Sequence, residues 1–128
     1  DYGIDLFKQN FNKYNNIILL NAIYDQIELN TLRSNCELYL HTHSLCGTAP
    51  SLVEAMYLNL PIVSFDITAN RATTEDRALY FKNVDELVML LNTISNEDIE
   101  QNQRQMKIIA DNRYGWKRIA EIYKENVH

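Results

Sequence analysis

Apolar residues along this chain fall into short runs and spaced stripes rather than one long block. Residues 16–23 (NIILLNAI), followed by Tyr24, form a run rich in Ile and Leu that predicts a buried strand. Asp25 with Glu28 makes a capping pattern, after which Ile27, Leu29 and Leu32 supply the apolar side of a short helix ending near Asn35. Residues 37–43 return to strand. Pro50 falls at a first helical position, ahead of Leu52, Val53, Ala55, Met56 and Leu58; Asn59 suits the left-handed position just past a helix, and Pro61 stops any continuation. This helix is mostly apolar, as one packed between a sheet and other helices would be. Residues 61–66 (PIVSFD) and 78–82 (ALYFK) complete four candidate strands. Asn83 with Glu86 caps a helix carrying Leu87, Val88, Leu91 and Ile94 on one face, and a second helix start follows at residues 95–98. The run 96–113 is rich in Gln, Asn and charge and reads as a solvated helix face without chemistry. Trp116, Ile119, Ala120 and Tyr123 then recur at i, i+3, i+4 and i+7, which predicts a last helix lying over something apolar.

Strand, helix, strand, helix, strand, strand and three helices is the order of an α/β layer structure: a Rossmann-like parallel sheet with helices on both faces, closed by a helical tail. Such sheets bind ligands outside the carboxyl ends of their strands, which directs attention to the loops after Tyr24, His43 and Asp66. The length of 128 residues points to one domain, large enough to bury a core without disulfides. With only 3 Gly and 2 Pro, and no repeat or linker, elements must be dense and loops short. Twelve Lys and Arg against 17 Asp and Glu leave a formal charge of −5, which disfavours a nucleic-acid partner. No stretch approaches the ~20 apolar residues needed to cross a bilayer, and the first ten residues resemble neither a signal nor a transit peptide, so a cytoplasmic setting is expected. There the two cysteines, Cys36 and Cys46, lacking CxxC spacing, would stay reduced. A start at Asp1 rather than Met suggests a piece of a longer protein.

The richest loop runs from His43 and Ser44 through Cys46, Gly47 and Thr48 to Pro50 and Ser51, joining a strand to the apolar helix. Gly47 lies where backbone approaches a ligand most easily. The unpaired N–H groups of the helix's first turn, with the hydroxyls of Thr48 and Ser51, either cradle a phosphate or simply cap a core helix. Glu54 stands between Val53 and Ala55 in that same helix. A carboxylate buried there needs donors, which the two hydroxyls of a ribose would supply; otherwise it faces solvent or rests on the positive end of its own helix. His41 and His43 share a strand face near Cys46, but the only other histidine is His128, too few ligands for a usual zinc site, so no metal is expected. In the cluster from Asn70 to Glu75, Arg71 either contacts a phosphate or pairs with Glu75, and Thr73 and Thr74 suit a short helical turn. By default such a run is a solvated loop.

The segment Cys46-Gly47-Thr48-Ala49, Leu52-Val53-Glu54-Ala55-Met56, Asn59-Leu60-Pro61-Ile62-Val63 resembles the donor-binding segment of the large retaining family of GT-B fold glycosyltransferases. In that family a Glu-Gly-Phe-Gly type loop leads into a Leu-Glu-Ala-Met helix, then Gly-x-Pro and a Val/Ile-rich strand. The family's two glutamates, separated by seven residues, fall at Cys46 and Glu54 here, so the second is present and the first is not. The stretch His41-Thr42-His43-Ser44, the loop Gly47-Thr48-Ala49-Pro50-Ser51-Leu52 and the later Asn70-Arg71 are similar to a bacterial branch that includes rhamnosyltransferases of surface-polysaccharide synthesis, in which the first glutamate is also replaced.

The resemblance covers about residues 2–123 and implies the carboxy-terminal, donor-binding half of such an enzyme. It implies Glu54 on the nucleotide ribose; Gly47, Thr48 and Ser51 at the phosphates; His43, Ser44, Asn70 and Arg71 near the sugar; and no resident cofactor. It implies a nucleotide-diphosphate sugar donor, such as a dTDP-linked deoxysugar. The glycan or lipid-linked acceptor would be held by an amino-terminal domain outside this chain, in an enzyme resting on the inner face of the membrane. The start of the donor domain, with its first strand, would also lie outside this chain; such strands are central in the usual order, so the piece would be prone to pair with a second copy. Rival expectations are a non-catalytic interaction module of the same fold and a nucleotide-sugar epimerase.

Overall fold

Three of the four candidate strands pair. The computed structural model describes residues 9–11, 13–44 and 47–126. In chain order the main elements are α1 (Gln26–Ser34), β1 (Tyr39–His41), α2 (Pro50–Tyr57), β2 (Ile62–Phe65), α3 (Thr68–Thr73), β3 (Leu79–Phe81), α4 (Val84–Thr93), α5 (Asn96–Arg113) and α6 (Trp116–Asn126). The strands form a small parallel sheet in the order β1-β2-β3, with Tyr39 opposite Ile62 and Ser64 opposite both His41 and Tyr80. Each strand is shorter than its apolar run. The chain is thus a mixed α/β structure with a three-stranded parallel sheet and several helices.

The helix boundaries follow the local chemistry of the sequence. Asp25 accepts from the N–H groups of Ile27 and Glu28, and Asn83 from that of Glu86. Ser95 and Asp98 make a reciprocal capping box. At the end of α2, Asn59 is left-handed with φ 67°, and the N–H groups of Asn59 and Leu60 turn back to the carbonyls of Met56 and Ala55. That is a Schellman stop, with Pro61 behind it.

The core is the face of the sheet holding Ile62, with Tyr39 and Tyr80 beside it, covered by α2, α5 and α6. Leu52, Ala55 and Met56 pack there against Met106, Ile109, Ala110, Ile119 and Ile122. The helix α5 is therefore not the solvated element its composition suggests. Asn102, Met106, Ile109 and Ala110 are buried at i, i+4, i+7 and i+8, a full helical stripe hidden among Gln, Asn and charged residues. The cluster around Asn70 is likewise no solvated loop, because α3 buries Asn70 and Thr73 and its cap Thr74 is buried too. On α4 the inward side is Leu87, Leu90 and Ile94, while Val88 and Leu91 are exposed. On α6 Ile119 and Ile122 point into the core, Ala120 is exposed, and Trp116 lies against the Tyr57 ring at 5.0 Å.

The run 16–24 is not a strand. It carries no regular secondary structure, and Ile18, Leu20 and Tyr24 are exposed. A strand exists only where a neighbour accepts its ladder, and β1 pairs with β2 alone among the described residues.

Asn102 ties α5 to the sheet: its side chain accepts from the Ile62 N–H at 2.7 Å and donates to the Arg77 carbonyl at 3.4 Å. Asn102→Ala strands that buried N–H and should lower unfolding stability by about 2 kcal/mol in urea titrations. An unchanged midpoint would mean that water replaces the amide.

Candidate functional site

The polar residues expected to act together divide into two groups. The first surrounds the carboxyl ends of β1 and β2. Asn70, 1% exposed, donates to the carbonyls of His43 at 3.1 Å and Phe65 at 3.0 Å, so one amide clamps the chain leaving both strands. Ser44, Asp66, Ile67, Thr68, Ala69 and Arg71 line a cleft beside this clamp. Arg71 pairs with Asp66 and Asp76 rather than with Glu75. Its Nε and Nη2 hold the two carboxylate oxygens of Asp66 at 2.5 and 2.8 Å, and Nη1 reaches Asp76 at 3.3 Å. The guanidinium also lies 4.1 Å from the centre of the Tyr80 ring. These hydrogen bonds hold the Asp66 carboxyl below the usual carboxylate range. Asn70 is thus a fixed part of the frame, whereas Arg71 presents a cation at the cleft wall.

The second group leads into α2. Gly47 has φ 109°, a conformation that favours glycine, although a side chain there would meet no neighbouring atom within 4 Å. Ala49 caps the helix without a side-chain bond and Pro50 opens it, so N–H groups of the first turn have no side-chain cap. Thr48 and Ser51 are half-buried in the same turn. Cys46 lies outside the described residues. Among those described, no group of three His, Cys, Asp or Glu side chains could hold a metal ion, and no helix is long and apolar enough to cross a membrane.

Glu54 belongs to neither group. It is 1% exposed, and both carboxylate oxygens are engaged within the chain. Oε2 pairs with Arg33 of α1, and Oε1 accepts from the Tyr123 hydroxyl of α6 at 2.5 Å. Burial, followed by the adjacent carboxylate, pushes the Tyr123 phenol up to about 12, so it remains a donor at neutral pH. The donors that Glu54 requires are therefore supplied by two side chains, Arg33 and Tyr123, which sequence reasoning passed over. The available signal was a lone arginine in a short helix two elements before an unexplained glutamate; Tyr123 read only as part of an apolar stripe.

His41 is a further buried polar group. It is 1% exposed, its Nε2 has no hydrogen-bond partner, and its ring lies 4.7 Å from that of His43 and 6.0 Å from that of Tyr39. Burial, and secondarily His43, push its pKa down to about 4.

No protein family, curated protein or solved structure matches this chain significantly.

The depressed His41 pKa makes stability pH-dependent. Unfolded histidine binds a proton near pH 6.5, but folded His41 resists it down to about 4. Between those values the unfolded chain binds more protons, so this contribution is complete above pH 6.5 and is lost as pH falls, by roughly 3 kcal/mol in all. In urea unfolding at pH 7 and pH 4, wild type should lose that much more stability than His41→Gln. Equal losses would show that His41 takes its proton while folded.

Proposed function

We propose that this chain is the donor-binding part of a glycosyltransferase. The sugar would pass from a nucleotide diphosphate, such as a dTDP-linked deoxysugar or another nucleotide-linked hexose, to a glycan or lipid-linked acceptor of bacterial surface-polysaccharide synthesis. The observation that carries this reading is the join between β1 and α2. A glycine-bearing loop, Gly47-Thr48, leaves the carboxyl end of a parallel strand and enters a helix with no side-chain cap, beside the cleft of Ser44, Asp66 and Arg71. That is where open parallel sheets hold their ligands, and where helix N–H groups favour a phosphate.

Chain direction supports the same architecture. Through Arg33, α1 contacts Glu54 of α2, a helix of the layer over the Ile62 face. A right-handed crossover through that layer into β1 must begin beyond the free edge of β1, on the side away from β2. In a Rossmann-like order, 3-2-1-4-5-6, with β1, β2 and β3 as the last three strands, the place of the third strand would fall to residues 16–23, which form no strand in this chain. Two further strands then separate that third strand from β1, which accounts for its lack of pairing here.

In this reading Gly47, Thr48, Ser51 and the start of α2 face the phosphates. His43, Ser44 and Asn70 frame the sugar side, and Glu54 serves the ribose. Arg71 exchanges part of its hold on Asp66 for the diphosphate. The chemical contribution is stabilisation of the negative charge that grows on the departing nucleotide diphosphate, by dipoles and cations already in position. Acceptor binding belongs to a domain outside this chain. The engaged state of Glu54 favours one alternative, a non-catalytic interaction module of the same fold.

The test is a titration of the ¹⁵N-labelled protein's amide spectrum with dTDP, UDP and GDP. One nucleotide should shift Ser44, Gly47, Thr48 and Asn70. A dispersed spectrum that none of them moves would favour the interaction module, and turnover of a nucleotide sugar without acceptor would favour an epimerase. Arg71→Ala should weaken the nucleoside diphosphate about tenfold and leave the free nucleoside unchanged, as loss of one charged hydrogen bond requires. An equal effect on both ligands would remove the phosphate role of Arg71.

A further inference from the structure

Glu54 poses a problem of access. At 1% exposure, with Arg33 on one oxygen and Tyr123 on the other, no ligand hydroxyl reaches the carboxylate as it stands. For any ligand to reach it, one of the two helices would have to move. They are not equally held. Helix α6 is anchored by Ile119 and Ile122, 2% and 0% exposed, in the main core. Helix α1 contributes no buried residue, and Ile27 and Leu32 face solvent. Its side-chain hydrogen bonds, from Gln26 to Asn30 and from Thr31 to the Ile27 carbonyl, stay local, as do those of Asn35 and Cys36 just beyond it. Among the described residues, the Arg33–Glu54 pair is the one side-chain hydrogen bond joining α1 to another element.

We infer that α1 is a lid over Glu54, with Arg33 as its latch. Lifting α1 exposes little apolar surface. It also returns Arg33 and Glu54 to water together, so neither charge is left buried alone, the outcome that makes breaking a buried pair costly. The open state presents Glu54 to solvent with Tyr123 still beside it. The identity of the entering ligand, a nucleotide ribose, rests on the function proposed above; the lid itself does not. Because only the open fraction binds, the apparent dissociation constant is the intrinsic one divided by that fraction, and weakening the latch raises affinity. Arg33→Gln favours opening because it leaves Glu54 without its cation whenever α1 is closed.

Hydrogen exchange of the wild-type amides tests the lid without any ligand. The amides of α1 should exchange at least about a hundredfold faster than those of α2, and Arg33→Gln should accelerate them further while α5 and α6 stay protected. Exchange of α1 as slow as that of α2, or unaffected by Arg33→Gln, overturns the lid. Titration with dTDP, UDP and GDP then tests the coupling, with Arg33→Gln binding the preferred nucleotide about tenfold more tightly than wild type. Tyr123→Phe, which keeps the ring and the Arg33–Glu54 pair, should accelerate α1 exchange far less than Arg33→Gln does, separating latch from packing; acceleration equal to that of Arg33→Gln overturns Arg33 as the latch. Fast, Arg33-dependent exchange with no nucleotide bound by any variant sustains the lid and removes the ribose role of Glu54. Binding that is equal in wild type and a folded Arg33→Gln overturns the latch as a control on access.

Discussion

A carboxylate held in the most apolar helix of the chain constrains much of this structure. Helix α2 buries Leu52, Val53, Ala55 and Met56 around Glu54, so α2 cannot pack unless donors arrive from elsewhere. They come from opposite directions in sequence, Arg33 from 21 residues before and Tyr123 from 69 residues after. That one requirement draws α1 and α6 to the same side of α2. It also fixes the rotation of α6, because the Tyr123 hydroxyl reaches Glu54 only while Ile119 and Ile122 face the core. An ionic contact of this kind adds no more to stability than a well-packed apolar replacement would, but breaking it by removing one partner is costly.

The other end of α2 is fixed by amides and carbonyls instead of charge. Lys107 donates to the Tyr57 carbonyl at 2.8 Å and Gln103 to that of Asn59 at 2.7 Å, so α5 satisfies carbonyls that the end of α2 leaves open. With Asn102 on the Ile62 N–H, one face of α5 holds α2, the Schellman turn and the start of β2 in register. The first turn of α2, by contrast, has no side-chain cap and follows a left-handed glycine. Rigidity at one end contrasts with a first turn held by its own backbone, where the N–H groups of Leu52 and Val53 both turn to the Ala49 carbonyl.

Local chemistry was the legible part of the fold. The ends of α2, α4 and α5 could be read because Pro50, Asn59, Asn83 and the Ser95–Asp98 pair act on backbone groups within a few residues. The buried stripe of α5 escaped because its first member is Asn102, a polar residue whose burial depends on an N–H 40 positions earlier. Residues 16–24 misled for the converse reason: Ile and Leu carry the pattern of a strand, but a strand also needs a partner that no local pattern supplies. At the candidate site, the loop residues and Asn70 were visible as polar groups at strand ends. Their division into a clamp, a cleft wall and a separate buried carboxylate was not, since it depends on which charges meet in space. Arg71 shows this most plainly, because Asp66 and Asp76 each lie only one residue further away in sequence than Glu75, and only the turn after α3 selects between them.

That turn also shows how the cleft acquires its charge. Glu75 and Asp76 are both left-handed, at φ 51° and 57°, a conformation that non-glycine residues adopt at some cost. The Asp76 N–H donates to the Arg71 carbonyl at 2.9 Å, while the Asp76 carboxylate meets the Arg71 side chain. Thr74 bonds the Tyr80 hydroxyl at 2.5 Å and so sets the ring over which Arg71 lies. A reversed chain, an aromatic face and two carboxylates thereby hold one guanidinium at the mouth of the cleft. The order of this cation comes from partners within the chain, since its charge-assisted bonds to Asp66 fix the plane of the fork and the Tyr80 ring lies against it.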